Sequence, residues 1–265
     1  MTEAAVVRNK KKLEGKVVII TGGASGIGEA TARLFAHHSP RMIVIADVQD
    51  QKGQDVAISI GPHICSYVHC DVTDELQVKS MVDWTVKNYG GLDVMFSNAG
   101  IINPNQTILE LDLSAFDRLM GINARGMATC VKHAGKAMVD GGVKGSIVCM
   151  GSLAGSIGSQ RSLDYCMSKH AVLGLMRSAS VQLGKYGIRV NCVSPSGLAT
   201  PLTCTNYGTD TEGVEKMFSS FSSLKGGVVL KVNHVADAVL FLASDDSAFV
   251  TGHNLAVDGG FRPSC

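Results

Sequence analysis

The sequence predicts an α/β fold, a doubly wound parallel sheet with helices on both faces, laid out as a single domain over residues 1–265. Three observations carry that expectation. Short β-branched apolar runs alternate with longer stretches of helical rhythm. A glycine-rich turn joins the first run to the first helical stretch, and an acid, Asp47, closes the second run.

In chain order, residues 1–13 are polar and then basic at Lys10, Lys11 and Lys12, which reads as a flexible leader. The run 16–20 is a strand buried on both faces. Thr21, Gly22, Gly23, Ala24, Ser25, Gly26, Ile27 and Gly28 form the turn, and 29–38 is the first helix, stopped by Pro40. Strand 42–46 and helix 51–60 repeat the unit. Further strands are expected at 66–69, 94–96, 146–149, 189–193 and 254–257, with helices at 75–89, 114–139, 165–186 and 235–243. The stretch 201–232 breaks the rhythm. Rich in Ser, Thr and Gly, with a weak helical centre at 214–221, it reads as an irregular, mobile substrate lid.

Lys plus Arg (24) nearly equals Asp plus Glu (23), so no broad field draws nucleic acid or anionic lipid, and a small neutral substrate fits better. Hydrophobic residues at 45% suffice for a large core. No apolar run reaches the ~18 residues that span a bilayer. Eight cysteines without a CxxC pair read as reduced thiols of a cytoplasmic protein. The histidines show no metal-ligand spacing, so no metal is expected. Trp84, Tyr89, Phe96 and Phe116 read as packing residues.

A strand feeding a glycine turn and then a helix is built to cradle a pyrophosphate. Backbone N–H groups and the helix dipole face the anion, and glycines let the main chain approach it. Gly22, Ser25, Gly26, Ile27 and Gly28 are the cradle. Asp47 stands nineteen positions after Gly28, near the ~20-residue offset of a ribose-binding acid, with Val48 beside it. A carboxylate there accepts from both ribose hydroxyls but repels a 2′-phosphate, which favours NAD over NADP. Ser25, Val48 and Gln49 supply no cation to reverse that choice.

Tyr165 and Lys169 lie four positions apart, on one helical face. An ammonium near a phenol favours phenolate and lowers its pKa from ~10, which brings proton exchange with an alcohol toward neutral pH.

With Asn98, Ala99, Gly100, Asn123 and Ser152 added, the pattern resembles the short-chain dehydrogenase/reductase family over 13–261. The resemblance implies a Rossmann fold and a homotetramer built through helices 114–139 and 165–186 and the last strand. It makes Tyr165 the general acid/base, while Lys169 binds the nicotinamide ribose, Ser152 positions the substrate oxygen and Asn123 holds a relay water. It also implies that Asp71 and Val72 contact adenine, that Asn98, Ala99 and Gly100 lie by the adenosine ribose, and that Pro195, Leu198 and Thr200 bind the carboxamide. Ser196 stands where the family usually has glycine, with Gly197 one place later.

The expected substrate wall, Gly151, Ser152, Leu153, Ala154, Ser156, Ile157, Leu163 and Leu202, is mostly apolar and suits a small hydrophobic alcohol. Within the family the chain resembles plant monoterpenoid members of the isopiperitenol dehydrogenase and nepetalactol-related groups. That implies oxidation of a monoterpenoid secondary alcohol or lactol with NAD. Two alternatives stay open: a redox-neutral, nepetalactol-type cyclase that uses NAD structurally, and an inactive binding protein. Glycine at 151, before the catalytic serine, reads either as space opened beside the substrate or as loop variation.

Overall fold

The computed structural model describes residues 11–224 and 227–261. The first ten residues of the expected leader, and 225 and 226 of the expected lid, lie outside the described residues. Residues 11–13 do not behave as a free leader. Leu13 is fully buried, its N–H donates to the His38 carbonyl at 3.2 Å, and Lys11 Nζ donates to the His37 carbonyl at 2.9 Å.

Seven parallel strands form one sheet in the order β3-β2-β1-β4-β5-β6-β7: β1 (Val17–Thr21), β2 (Met42–Asp47), β3 (Cys65–His69), β4 (Val94–Ser97), β5 (Ser146–Met150), β6 (Arg189–Pro195) and β7 (Asn254–Val257). Strands β1, β2, β4 and β5 are buried at every position, because helices cover both faces. This is why they read as unbroken apolar runs. The edge strands β3 and β7 are half-exposed. The order reverses between β1 and β4, and the cleft opens there, at the carboxyl ends of the strands.

The crossovers are α1 (Gly26–Ala36), α2 (Asp50–Ile60), α3 (Glu75–Tyr89), α4 (Leu113–Met120), α5 (Met127–Asp140), α6 (Leu163–Gly184) and, later, α9 (Val232–Ala243). Asp74 starts α3 by accepting from the Leu76 and Gln77 N–H groups, and Gly90, at φ +83°, ends it. The expected single helix 114–139 is interrupted by a π-helical turn, Gly121–Gly126, between α4 and α5. Residue periodicity does not show such a turn, and it sits at the cleft.

Thr200 caps a short helix α7 (Pro201–Tyr207), with Thr203 completing the reciprocal capping box, and Asp210 caps α8 (Thr211–Ser219). The stretch read as irregular is therefore two capped helices followed by a connection. That connection is fastened: Leu224 N–H donates to the Gly259 carbonyl at 2.8 Å, and the Ser222 and Ser223 hydroxyls donate to the Gly259 and Gly260 carbonyls. No helix among the described residues is long and apolar enough to cross a membrane.

Candidate active site

One cavity of about 1700 Å³ runs along the carboxyl ends of the strands, from Asp47 and Asp71 at one end to Phe218 and Phe261 at the other. At its centre the glycine turn is locked to the loop after β4. Thr21 Oγ1 accepts from the Asn98 and Ala99 N–H groups, while Asn98 Nδ2 donates to the Thr21 and Gly22 carbonyls, each at 3.0 Å. A Cβ on Gly28 would stand 2.2 Å from the Gly22 carbonyl oxygen, so only glycine closes this cradle. Ser25 is the N-cap position of α1 and leaves its side chain out of the cap, so the first N–H groups of the helix face the cavity that Ser25, Gly26 and Ile27 line. These residues fit a dinucleotide pyrophosphate.

Asp47 is buried, and both carboxylate oxygens are held: Oδ2 accepts from Ala24 N–H and Oδ1 from Gln49 N–H, each at 3.0 Å. Oδ2 retains a lone pair for a ribose hydroxyl, while Oδ1 also accepts from Gln49 Nε2 at 3.3 Å, a side chain that can turn away to admit a second hydroxyl. Val48, Asp71 and Val72 line the same end. Asp71 Oδ1 is occupied by the Thr73 N–H and hydroxyl. Lys52 also lines this end, its ammonium donating to Gln49 Oε1 at 2.8 Å. Sequence reasoning counted only the neighbours of Asp47 and missed this cation, which α2 brings back one turn later.

The opposite lip is the loop after β6, where Pro195, Leu198 and Thr200 line the cavity. The Thr200 methyl side packs 3.6–3.7 Å from where a Gly26 Cβ would stand, so this loop meets the cradle. The Thr200 hydroxyl is engaged by Thr203 in the helix cap, which leaves the loop backbone as the freer partner for a carboxamide. The displaced glycine has a physical cause: a Cβ on Gly197 would collide with the Phe218 ring at 2.3 Å.

Tyr165, Lys169 and Ser152 share the middle of the cavity with Gly100 and Ala99. Lys169 is fully packed, its ammonium 5.4 Å from the Tyr165 ring centre and donating to the Met150 carbonyl at 2.9 Å. Burial pulls Lys169 down to about 8. Burial likewise pushes the Tyr165 phenol up to about 12, against a hydrogen bond from Ser152 that acts the other way. Desolvation is the largest influence on the phenol, and the Lys169 ammonium is not among the groups that move it.

Two further residues have partners that sequence alone did not name. Asn123 is fully buried in the π turn and does not line the cavity. Its Oδ1 accepts from Ile101 N–H, and its Nδ2 donates to the Ile101 carbonyl and to Ser168 Oγ. The side chain clamps the cavity-wall loop to the catalytic helix and keeps one lone pair of Oδ1 as its remaining acceptor. At Gly151 the backbone reaches the cavity, but a Cβ would stand 2.3 Å from Ser194 Oγ, away from any substrate space. Ser194 in turn bonds Asn254 Oδ1 at 2.6 Å, so the glycine makes room for a bridge between β6 and β7.

Leu153, Ala154, Ile157 and Leu202 line the substrate end, whereas Ser156 and Leu163 face a neighbouring shallow groove. Sequence reasoning missed Ile101, Ile102 and Phe261 on this wall, and gave the 201–232 segment as part of it without singling out Asn206, Tyr207 and Phe218. The helical spacing of α7 and the aromatic end of α8 were the available signals. No group of three or more His, Cys, Asp or Glu that could hold a metal occurs among the described residues.

A pyrophosphate cradle at the strand switch point, joined to a half-buried tyrosine beside a buried lysine and a serine, defines a dinucleotide-dependent oxidoreductase site on a parallel α/β sheet. Comparison with known proteins makes this particular. The family described as enoyl-(acyl carrier protein) reductase matches residues 22–262. An (−)-isopiperitenol/(−)-carveol dehydrogenase of Mentha piperita, named as mitochondrial, is 58% identical over 95% of each chain. A (+)-cis,trans-nepetalactol synthase of Nepeta racemosa is 56% identical over 95% of this chain and 92% of that one. The crystal structure of a short-chain type dehydrogenase/reductase from Mycobacterium marinum superposes with a TM-score of 0.86 at 31% identity, covering 96% of this chain and 98% of that one. The chain belongs to the short-chain dehydrogenase/reductase family, whose fold binds a nicotinamide cofactor.

Proposed function

We propose that the protein oxidises a small hydrophobic secondary alcohol or lactol of monoterpenoid type with NAD. The observation that carries this reading is the single cavity in which Tyr165, Ser152 and Lys169 meet a mainly apolar wall of Leu153, Ala154, Ile157 and Leu202. Ser152 orients the substrate oxygen. Tyr165 exchanges the hydroxyl proton while the carbinol C–H electrons leave as hydride, and the product is a carbonyl. Lys169 and the loop of Pro195, Leu198 and Thr200 would hold an oxidised nicotinamide, which would supply the hydride acceptor. The buried Asp47 carboxylate supports NAD, and Asp47→Ser with Val48→Arg is expected to move preference toward NADP. Unchanged cofactor kinetics would refute that assignment.

A second reading rests on the nepetalactol synthase relative. A phenol held protonated can donate a hydrogen bond to a reacting oxygen with no hydride transfer, and cavity shape then selects the stereochemistry. Incubation with NAD and a panel of monoterpenols, lactols and their enol precursors, following NADH absorbance and chiral products together, separates the readings. NADH formation supports oxidation. A stereodefined cyclic product without NADH supports cyclisation, and the absence of both supports an idle binding protein.

The reading includes a homotetramer. Exposed Val181 on α6 and Phe249 ahead of β7 support it, and light scattering showing only monomer would contradict it. It also includes a cytoplasmic location, which cell fractionation tests against the organelle in the mint relative's name.

A further inference from the structure

The last two residues of α7, Asn206 and Tyr207, project onto the substrate end of the cavity. Asn206 Oδ1 is buried without a hydrogen-bond partner, and it is the only such side-chain atom among the described residues. Buried polar atoms are almost always paired, and an orphan on a cavity wall is a place where a partner arrives from outside the chain. The terminal torsion of an asparagine turns at little cost, so the amide can swing to face the cavity. Tyr207 lies beside it, its ring held edge-on by Phe218 with centroids 5.6 Å apart. Burial alone raises the Tyr207 phenol, and its proximity also raises Tyr165, so the two phenols face one cavity. Around them the wall is Leu153, Ala154, Ile157 and Leu202.

We propose that Asn206 and Tyr207 form a polar subsite for a second hydroxyl of the substrate, distinct from the carbinol that faces Tyr165. Asn206 Oδ1 accepts from that hydroxyl, and the Tyr207 phenol donates to its oxygen. The preferred substrate is then a compact apolar skeleton with two oxygen functions, and a mono-alcohol of the same skeleton leaves the Asn206 carbonyl unpaired. The inference deepens the function proposed above and rests on it.

The test measures calorimetric affinity and turnover for a cyclic monoterpenol and for the same skeleton with a second hydroxyl, using NAD-loaded protein. Wild type is expected to bind the diol about tenfold more tightly. Asn206→Leu is expected to abolish that preference, the diol losing far more affinity than the mono-alcohol, while the affinity for NAD stays within twofold. Asn206→Asp, which keeps an acceptor, is expected to retain the preference, and the near-isosteric Tyr207→Phe to lose part of it. Equal affinity of wild type for the two ligands, or equal losses on both in the variants, would overturn the subsite. Binding preference without turnover of either compound would keep the subsite and overturn the proposed oxidation. Turnover without preference would do the reverse.

Discussion

Replacing Gly151 by alanine tests whether the residue before Ser152 shapes the pocket or the scaffold. The new Cβ would stand 2.3 Å from Ser194 Oγ and 3.6 Å from Ser194 Cβ, so the hydroxyl must rotate away while the rest of that side chain stays. Rotation breaks the 2.6 Å bond to Asn254 Oδ1, and Ser194 is buried, so its hydroxyl is left without solvent. Losing a buried hydrogen bond in this way costs about 1–3 kcal/mol. Taking about 2 kcal/mol, and roughly 2–4 °C per kcal/mol for a chain of this size, Gly151→Ala lowers Tm by about 4–8 °C. Adding Ser194→Ala removes the collision and leaves the Val193 carbonyl, at 3.3 Å, as the tightest neighbour. The double variant is therefore expected to be more stable than the sum of the single losses by about 1 kcal/mol. Scanning calorimetry on the four proteins of the cycle measures this, and product chromatography is expected to show an unchanged profile. An unchanged Tm together with a changed product distribution would refute the reasoning, because the side chain would then have entered the substrate space.

Tyr165→Phe is expected to reduce turnover by about 10²–10⁴-fold while leaving NAD affinity intact; near-normal turnover would remove Tyr165 from the chemistry. For alcohol oxidation Tyr165 must give up its proton, which higher pH favours, while Lys169, lowered by burial to about 8, loses the charge that supports the phenolate, so log kcat/KM is expected to show an inflection near 8 above which its rise is checked. Lys169→Arg, whose charge persists to higher pH, is expected to erase that inflection in whatever activity remains. Lys169 has a folded-state value below its ordinary one, so its penalty to stability is fully present below about pH 8 and is relieved as pH rises from there toward 10.5. Alkylation of the native protein at pH 8 is expected to mark Cys204 and spare Cys65, Cys70 and Cys130, whose thiols burial pushes up to about 12. Peptide mapping that finds the buried thiols equally labelled would contradict the packing described.

The sheet was legible because burial on both faces leaves a plain mark, such as the unbroken apolar run Met42, Ile43, Val44, Ile45, Ala46. The cradle was legible because backbone approach admits only glycine at Gly28. What stayed hidden depends on neighbours distant in sequence. Asn123 gives no sign in sequence of its bonds to the Ile101 backbone, which the π turn places beside it. Gly151 was ambiguous because its crowding partner, Ser194, lies on the adjacent strand. The α7–α8 region was misread because Ser, Thr and Gly signal loops on average, yet Thr200 and Thr203 spend their hydroxyls on capping a helix. The raised phenol of Tyr165 could not be read from its spacing to Lys169, since spacing reports charge and carries no measure of desolvation.

The bonds from Ser222, Ser223 and Leu224 to Gly259 and Gly260, with Phe261 stacked 5.5 Å from Phe221, bring the carboxyl-terminal end of the chain up against the mouth of the cavity. Residues 11–16 instead lead into the amino end of β1, where the Leu13 N–H donates to the His38 carbonyl, at the far end of the strands from the cavity. Affinity tags, fluorescent fusions and surface tethers therefore belong ahead of Lys11, remote from the cavity, because a load carried on Phe261 itself bears on the wall that Phe261 forms.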